Sequence, residues 1–247
     1  LSDDADQLVV DLTWQAPDGL AVTKRLTFQR GSHAIQLSHL VNNASDQPWK
    51  GRDYRQFQRS EPADSGNFFM YTYTGGAIYS PQDKYQKYDF AELNDGELNQ
   101  DVSNGWIAML QHYFLGAFIP PQNNNQHFYS KGLSNGRSVI GTYSAAQTLA
   151  PGESGQFDGT LFIGPKLRTE LEPLAEGLDL TVDYGFLVFI AKPMHWVLEQ
   201  INAYVNNWGW TIILFTLLLK LLYFKLSEKS YHSMANMRTL APRIQAM

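Results

Sequence analysis

One apolar run near the C-terminal end constrains the architecture of this chain more than any other feature. Residues 208–226 read WGWTIILFTLLLKLLYFKL, close to the ~20 residues that an α-helix needs to cross the hydrocarbon of a bilayer. Apolar residues cover every face of such a helix, and aromatic residues stand near both ends, as they do at membrane interfaces. The run therefore predicts a transmembrane helix over 207–226, with the core helix of a soluble domain as the alternative.

Basic residues on the two sides of this run predict its orientation. Lys225, Lys229, Arg238 and Arg243 lie at or beyond its C-terminal end, whereas Lys192 is the only Lys or Arg in the twenty residues before it. Basic residues concentrate on the cytoplasmic side of membrane spans. We therefore expect residues 227–247 in the cytoplasm and residues 1–206 on the opposite side of the membrane.

Charge is distributed unevenly along the chain. Residues 1–185 hold 13 Lys and Arg against 22 Asp and Glu, a net charge of −9, and the remaining residues carry a net charge of +4. The acidic part shows no positive face of the kind that phosphate binding needs, which argues against nucleic acid as its partner. The chain has no cysteine, so disulfides, a thiolate nucleophile and a Cys-ligated zinc are excluded.

Short alternating segments fill the part of the chain before residue 184. Residues 8–14 and 21–29 alternate around the turn sequence APDG, which predicts a hairpin. Short strands separated irregularly by Gly, Pro and Asn favour a β-sandwich over βαβ units, with one short helix over 167–176. The other predicted strands are 34–41, 68–73, 77–79, 106–114, 117–119, 138–144 and 155–164.

An amphipathic segment separates this β-rich part from the apolar run. Apolar residues recur at nearly helical spacing over 186–205, and polar residues fill much of the other side. Pro193 is expected to start the regular helix, because proline is tolerated in a first turn. The pattern predicts an interfacial helix over 185–206 that lies in the membrane surface, with packing on the chain's own sandwich as the alternative.

A further helical pattern follows the run over 227–247. Ser227 is expected to cap a new helix. Met234 and Met237 belong to an apolar stripe on this helix. Methionine adapts to varied apolar partners, so the stripe is either a binding surface or ordinary packing.

Lys220 is the one charge in the interior of the run. Its Cα lies roughly 18 Å along the helix axis from Trp208, in the half nearer the cytoplasm. A charge inside the membrane costs up to ~3 kcal/mol on insertion scales, which makes such a lysine a functional candidate. The alternative is that its side chain reaches the cytoplasmic headgroups, and the residues alone weight the two equally.

Motifs of soluble enzymes are poorly represented. His33, His39, His112 and His127 are scattered, with no close pair at metal-ligand spacing, so no metal site is expected. Paired glycines lack the spacing of phosphate-binding loops and are interpreted as turns. The sequence Asn-Ala-Ser at 43–45 matches a glycosylation acceptor, a pattern that is frequent by chance.

Four stretches of the sequence carry a resemblance to a known family. They are NGWIAMLQHYF at 104–114, LDLTVDYG at 178–185, NWGW at 207–210 and YHSMANMRTLAPRIQAM at 231–247. These stretches are similar to the YidC/Oxa/Alb family of membrane protein insertases, in the form found in Gram-negative bacteria. The likeness covers most of the chain and is most specific from residue 178 onward.

The resemblance implies an overall organisation in the bacterial inner membrane. It implies a periplasmic β-supersandwich similar to galactose mutarotases over 1–184, incomplete on its N-terminal side, then the interfacial helix, the second transmembrane helix and the start of a cytoplasmic helical region. Members have one span upstream and four downstream. Leu1 is neither an initiator Met nor part of a signal segment, and Met247 ends a helical pattern without a stop signal, so an internal fragment is expected.

The resemblance also implies a function without covalent chemistry or a cofactor. Such proteins assist insertion and folding of newly made inner-membrane proteins, alone or with the Sec translocon and its accessory subunits, and the ribosome is a further expected partner. Lys220 takes the place of the family's arginine in a polar groove open to cytoplasm and lipid, and Thr216 is expected in the same groove. Met234, Met237 and Arg238 are expected to make cytoplasmic contacts.

The alternative function belongs to another class. It is a membrane-tethered β-sandwich that binds sugars or isomerises them as a mutarotase does. Such a site would need a histidine and a carboxylate that converge in a cleft. The sequence does not bring His112 or His127 near any glutamate.

Overall fold

The computed structural model describes residues 5–62, 73–182 and 188–245, with side chains except at 188, 226, 233 and 235–245. The chain divides into two compact units, Leu1–Val182 and Asp183–Met247. The first unit is rich in β-strands, and the second consists of helices.

The first unit contains fourteen strands within the described residues. They are β1 (Gln7–Gln15), β2 (Leu20–Gln29), β3 (Ala34–Asn43), β4 (Trp49–Gly51), β5 (Tyr54–Ser60), β6 (Gly75–Ser80), β7 (Lys84–Tyr88), β8 (Asn99–Ser103), β9 (Trp106–Leu110), β10 (Phe114–Ile119), β11 (Asn125–Gly132), β12 (Arg137–Ser144), β13 (Gln147–Leu149) and β14 (Ser154–Pro165). Its helices are α1 (Phe90–Asp95), α2 (Arg168–Leu171) and a 3₁₀ turn (Leu178–Thr181).

Twelve of these strands form two antiparallel sheets. The large sheet has the order β1-β2-β3-β14-β10-β9-β6-β7, the small sheet has the order β5-β12-β11-β8, and β4 pairs separately with β13. The mainly β, sandwich-like fold predicted from the sequence is therefore confirmed. β1 forms one edge of the large sheet, and no strand in the described residues pairs with its outer side.

The main core fills the space between the two sheets. Ile78, Ile107 and Phe118 from the large sheet belong to one cluster with Phe128 and Ile140 from the small sheet, and all five are buried. Because each sheet must bury one apolar face, this cluster is what joins the sheets into one domain.

The central strands of the large sheet are buried on their second face as well. Trp106 of β9 belongs to a second cluster with Leu171 of α2 and Leu178 of the 3₁₀ turn. Every residue of β6 and β9 is consequently buried. These strands lack the alternation that marks a half-exposed strand, which explains their weak signature in the sequence.

Several predicted elements differ from the structure. The single strand predicted over 106–114 is wrong, because β9 ends at Leu110 and Gln111 donates its backbone N–H to the carbonyl of Phe114 at 2.9 Å, which closes a hairpin turn. The helix predicted over 167–176 is only one turn long, and Pro173 follows it. Residues 68–72 of another predicted strand lie outside the described residues.

Two helices form the second unit. The first, α3, spans Val188–Val205, and the second, α4, spans Trp208–Gln245. The prediction that Pro193 starts the regular helix is wrong, since Pro193 lies inside α3. The cap predicted at Ser227 is also wrong: α4 continues through this residue for a total of 38 residues, and no Pro or Gly occurs between Trp210 and Leu240 to end it.

Candidate functional site

A two-residue connection joins α3 to α4. Asn206 adopts a left-handed conformation with φ of 51°, which asparagine tolerates better than most residues. The side chain of Asn207 accepts backbone N–H bonds from Gly209 at 2.9 Å and Trp210 at 3.3 Å. This is the geometry of an N-cap, and it starts the apolar helix at Trp208.

One stripe of α4 faces α3. Thr211 and Phe215 are buried and Leu219 is half-buried, at intervals of four residues along one side of the helix. The hydroxyl of Thr211 lies 3.3 Å from Oδ1 of Asn202 on α3, which identifies the side that faces α3. The two helices therefore pack together next to the connection.

The apolar face of α3 is covered only in part. Leu198 and Ile201, near the connection, are half-buried, whereas Ile190 and Met194 in the first half of the helix are exposed. Trp196 is also exposed. The prediction that this helix lies in the membrane surface stays a prediction.

The rest of the α4 surface is apolar and exposed. Residues Trp208–Lys225 form the one segment of the described chain that is long and apolar enough to cross a membrane by length and composition, with a mean hydropathy of 1.4. Large side chains such as Leu217, Leu221 and Phe224 are more than half exposed. Such a surface suits hydrocarbon rather than water.

Lys220 lies on this exposed surface. It is displaced by about 140° around the helix axis from the centre of the buried stripe, and its side chain is exposed. Within the part of the chain that the structure describes, no carboxylate lies within ion-pair distance of its ammonium group. The helix therefore presents a positive charge on a surface that is otherwise apolar.

Thr216 stands one turn before Lys220 on the same side of α4. Its hydroxyl donates to the carbonyls of Ile212 at 2.5 Å and Ile213 at 2.9 Å. The helix backbone thus satisfies this hydroxyl, as is common for threonine in apolar helices. The Thr216 hydroxyl can therefore accept a hydrogen bond from a polar group beside Lys220, but its proton is already donated to the backbone.

The predicted cytoplasmic contact residues all lie on the last part of α4. Met234 is exposed. Met237 and Arg238 belong to the same helix by their backbone, and their side chains lie outside the described residues. Contacts of these three residues remain predictions.

The β-rich unit brings three histidines against carboxylates, which sequence reasoning did not find. His33 pairs with Glu170 at 2.7 Å and His127 with Asp101 at 2.8 Å, both on the surface. His112 instead packs edge-on against its neighbour Tyr113 in the β9–β10 turn. The two partners of each pair are far apart in the sequence, by 137 residues for His33 and Glu170 and by 26 for His127 and Asp101, so spacing alone could not reveal them.

The third histidine belongs to an ionic cluster near the core. Asp53 lies 2.9 Å from Nδ1 of His39 and 2.7 Å from Nε of Arg55, and Arg55 is buried. The Arg55–Asp53 contact is close but poorly aligned for a hydrogen bond, and Nη2 of Arg55 has no acceptor among the described residues. Burial lowers the pKa of Arg55, and the charge of Asp53 opposes this shift.

In each of the three pairs the carboxylate binds the histidine directly, which orients the imidazole ring. Among the residues that the structure describes, no group of three or more His, Asp or Glu could hold a metal ion.

A β-sandwich followed by a long helix with an exposed apolar surface is the organisation of a membrane-anchored protein, and the comparisons identify the sandwich as a periplasmic domain. Residues 1–197 match the family model "YidC periplasmic domain", and residues 200–247 match "60Kd inner membrane protein". The chain belongs to the YidC family of bacterial inner-membrane proteins, which confirms the predicted resemblance and localisation.

Curated relatives give the same result. A membrane protein insertase YidC from Methylococcus capsulatus is 46% identical over 99% of this chain and 45% of its own length. Its counterpart from Nitrosococcus oceani is 44% identical over 100% of this chain and 45% of its own length. The chain therefore spans less than half the length of these relatives.

Solved structures share the fold of the first unit. An α-galactosidase from Lactobacillus brevis matches with a TM-score of 0.51 and 13% identity over 69% of this chain and 25% of its own. An α-galactosidase from Geobacillus stearothermophilus matches with a TM-score of 0.50 and 12% identity over 70% of this chain and 27% of its own. At this identity the likeness shows the fold alone, which is of the galactose-mutarotase-like kind that the resemblance implied.

Proposed function

We propose that this chain is part of a membrane protein insertase that assists insertion and folding of newly made inner-membrane proteins. It does so alone or together with the Sec translocon and its accessory subunits. The observation that carries this proposal is the exposed Lys220 on an apolar helix, which has no ion-pair partner among the described residues. The names of the relatives, which are insertases, support it.

The domain boundaries of the proposal follow the predicted ones. Residues 1–184 form the periplasmic domain, 185–206 the interfacial helix, 207–226 the transmembrane helix and 227–247 the start of the cytoplasmic region. The end of α3 at Val205 and the start of α4 at Trp208 support the boundary at 206. The boundary at 184 lies outside the described residues, and α4 runs through 226 without a break.

The proposed mechanism is electrostatic. A charge that faced lipid at this depth would cost up to ~3 kcal/mol, a cost that falls if Lys220 faces a hydrated groove formed with other spans of the whole protein. In that groove its charge attracts the acidic residues of an incoming segment and lowers the penalty of moving them into the bilayer. Thr216 adds acceptor oxygen on the same wall of the groove.

The cytoplasmic end of α4 is proposed to meet the incoming chain first. Met234, Met237 and Arg238 would contact the nascent chain, the ribosome or other parts of the insertase. The exposure of Met234 supports an adaptable apolar contact. A photo-crosslinker at 234 should capture a stalled nascent chain. Capture equal to that from a crosslinker at the exposed position of Leu221, about 100° around the helix from Lys220, would contradict this role.

A variant series in the full-length protein tests the role of Lys220. Lys220→Ala should lower insertion of substrates with acidic translocated ends at least about fivefold, corresponding to about 1 kcal/mol, while Lys220→Arg should retain insertion because it keeps the charge. Substrates with neutral ends should be affected less. Insertion is measured by protease protection in cells depleted of their own insertase.

Lys225→Ala is the matched control, because Lys225 lies on the same helix nearer the cytoplasmic interface. It should leave the dependence on substrate charge unchanged. If Lys220→Ala inserted every substrate as well as the unmodified protein, Lys220 would be a lysine that only reaches the headgroups, and the electrostatic mechanism would be lost.

A further inference from the structure

The outer face of the small sheet carries a row of aromatic side chains. Tyr143 of β12 stands directly opposite Tyr54 of β5 on one side and His127 of β11 on the other. Tyr129 lies two residues along β11 on the same face. We call Tyr54, Tyr129, Tyr143 and His127 the tyrosine platform.

The rings of the tyrosine platform contact one another in a continuous series. Tyr54 and Tyr129 are nearly parallel, with ring centroids 6.2 Å apart and an interplanar angle of 20°. Tyr129 and Tyr143 have centroids 5.9 Å apart, and Tyr143 and His127 stack at 4.7 Å. Four rings from three strands thus form one aromatic cluster, in which the rings of Tyr143 and His127 are stacked face to face.

A glycine allows Tyr129 to lie flat against the sheet. Tyr129 faces Gly141 across the β11–β12 pair, and a Cβ atom at Gly141 would lie only 2.4 Å from the Tyr129 hydroxyl oxygen. The ring therefore covers the backbone of β12 with one face. Tyr54 beside it is the one exposed ring of the four, at 53%, and the other three are half-buried.

One cationic and one anionic side chain flank the tyrosine platform. Arg52 lies 4.9 Å from the centroid of the Tyr143 ring, and Asp101, whose side chain is 67% exposed, binds His127 at 2.8 Å. Because these two charges are opposite, a neutral ligand is complementary to this surface and a phosphate or a strongly charged peptide is not.

One amide beside the rings is held in a fixed orientation. Oε1 of Gln56 accepts hydrogen bonds from the hydroxyls of Tyr54 and Tyr129. Its Nε2 and the hydroxyl of Tyr143 make no hydrogen bond within residues 5–62, 73–182 and 188–245. Both groups remain able to bind a ligand that lies on the rings.

We infer that the tyrosine platform is a binding site for a neutral carbohydrate. A sugar ring presents apolar C–H groups on its faces, which pack on aromatic rings, and hydroxyls at its rim, which match Gln56 and Tyr143. β11 and β12, which carry three of the four rings, are paired on both sides and offer no edge to an extended peptide, whereas β5, which carries Tyr54, is an edge strand. The site is separate from Lys220 and does not depend on the proposed insertase activity.

Calorimetric titration of the whole chain with two neutral tetrasaccharides tests the inference. The probes are β-1,4-linked tetramers of glucose and of N-acetylglucosamine. The chain is held in phospholipid nanodiscs, because detergents with sugar headgroups would compete for the site. We expect saturable binding of at least one probe.

Three variants connect the binding to the tyrosine platform. Tyr54→Ala should weaken binding about fivefold, and Gly141→Ala should weaken it by a similar factor because the new Cβ displaces the Tyr129 ring. Tyr113→Ala, which removes an exposed tyrosine from the β9–β10 turn, is the matched control and should bind normally. Circular dichroism verifies that each variant is folded, and Tyr54, on an edge strand and half exposed, can be replaced without emptying the core.

The inference is overturned if neither tetrasaccharide binds the folded chain. It is equally overturned if Tyr54→Ala and Gly141→Ala bind as tightly as the unmodified chain, or if Tyr113→Ala loses binding to the same extent. A neutral extended peptide that binds this face where both sugars fail would assign the surface to a protein partner instead.

Discussion

Replacement of Asn43 should destabilise the first unit more than its polar, loop-like sequence suggests. Asn43 ends β3 and is fully buried. Its Nδ2 donates to the carbonyls of Gln47 at 2.9 Å and Leu149 at 3.0 Å, and its Oδ1 accepts from the hydroxyl of Ser45 at 2.6 Å. One side chain thus joins the end of β3 to the loop that follows it and to the end of β13.

The magnitude follows from these bonds. Asn43→Ala leaves the buried Leu149 carbonyl without this donor, which costs about 1–3 kcal/mol, and removes partly exposed bonds worth about 1 kcal/mol together. We expect a loss of about 3 kcal/mol in the free energy of unfolding. Asn43→Asp should cost more, because a carboxylate would face the same carbonyl oxygens. Asn42→Ala, at the exposed neighbouring position, should change stability by less than about 0.5 kcal/mol.

Urea unfolding of the chain in nanodiscs, followed by near-ultraviolet circular dichroism, measures these differences. The midpoint should shift while the dependence on urea concentration stays constant. A loss below about 1 kcal/mol for Asn43→Ala, equal to that for Asn42→Ala, would refute the hydrogen-bond reasoning. An Asn43→Asp chain as stable as the unmodified one would show that the amide is oriented the other way round.

The burial of Asn43 also makes the Asn-Ala-Ser sequence a structural element rather than a glycosylation site.

Three further predictions concern the first unit. Arg55→Ala should lower the free energy of unfolding by about 3 kcal/mol, because Asp53 then keeps a buried charge without its arginine; a loss below about 1 kcal/mol in urea unfolding would contradict this. Trp14→Lys, on the exposed apolar face of β1, should reduce aggregation of the concentrated protein, measured by light scattering, and leave the unfolding midpoint unchanged. A lysine placed on the opposite face of β1 should not reduce this aggregation. Arg25 lowers the pKa of Asp11 through their hydrogen bonds. This pair therefore stabilises the fold above the ordinary pKa of 3.8, and its contribution is lost as the pH falls through the lowered value. Arg25→Gln should return the pKa of Asp11 to its ordinary range, as measured by an NMR titration.

The strands predicted best are those in which apolar and polar residues alternate in the sequence, even though β1 is exposed along almost its whole length. β1, β2, β3 and β14 alternate and were predicted nearly to their ends. β5 was missed because Phe57 is its only large side chain without a polar group, and because the sequence gives no sign that Arg55 is buried. The turn between β9 and β10 was missed because His112 and Tyr113 are not turn formers.

Local signals were present for one missed helix. Asp89 and Glu92 form a capping box at the start of α1, with each side chain bound to the other residue's backbone N–H. The spacing is readable from the sequence, but α1 has only six residues and no helical periodicity to support it. A cap alone therefore did not suffice.

The candidate sites also differ in how far the sequence reveals them. Lys220 was found because a charge inside an apolar run is visible in one dimension, and its exposure agrees with a functional role without testing it. The tyrosine platform was not found, since its rings come from strands that meet only through the register of the small sheet. Contacts that depend on register cannot be read from a single segment.

Because α4 is unbroken, it tilts as one rigid rod. Its 38 residues make a rod about 57 Å long, so a tilt of about 10° displaces one end by about 10 Å relative to the other. A chain with a joint at Ser227 would absorb such a rotation at the joint. In the unbroken helix, a force on the Met234 end also moves the Trp208 end, because no break in the backbone between them absorbs the rotation.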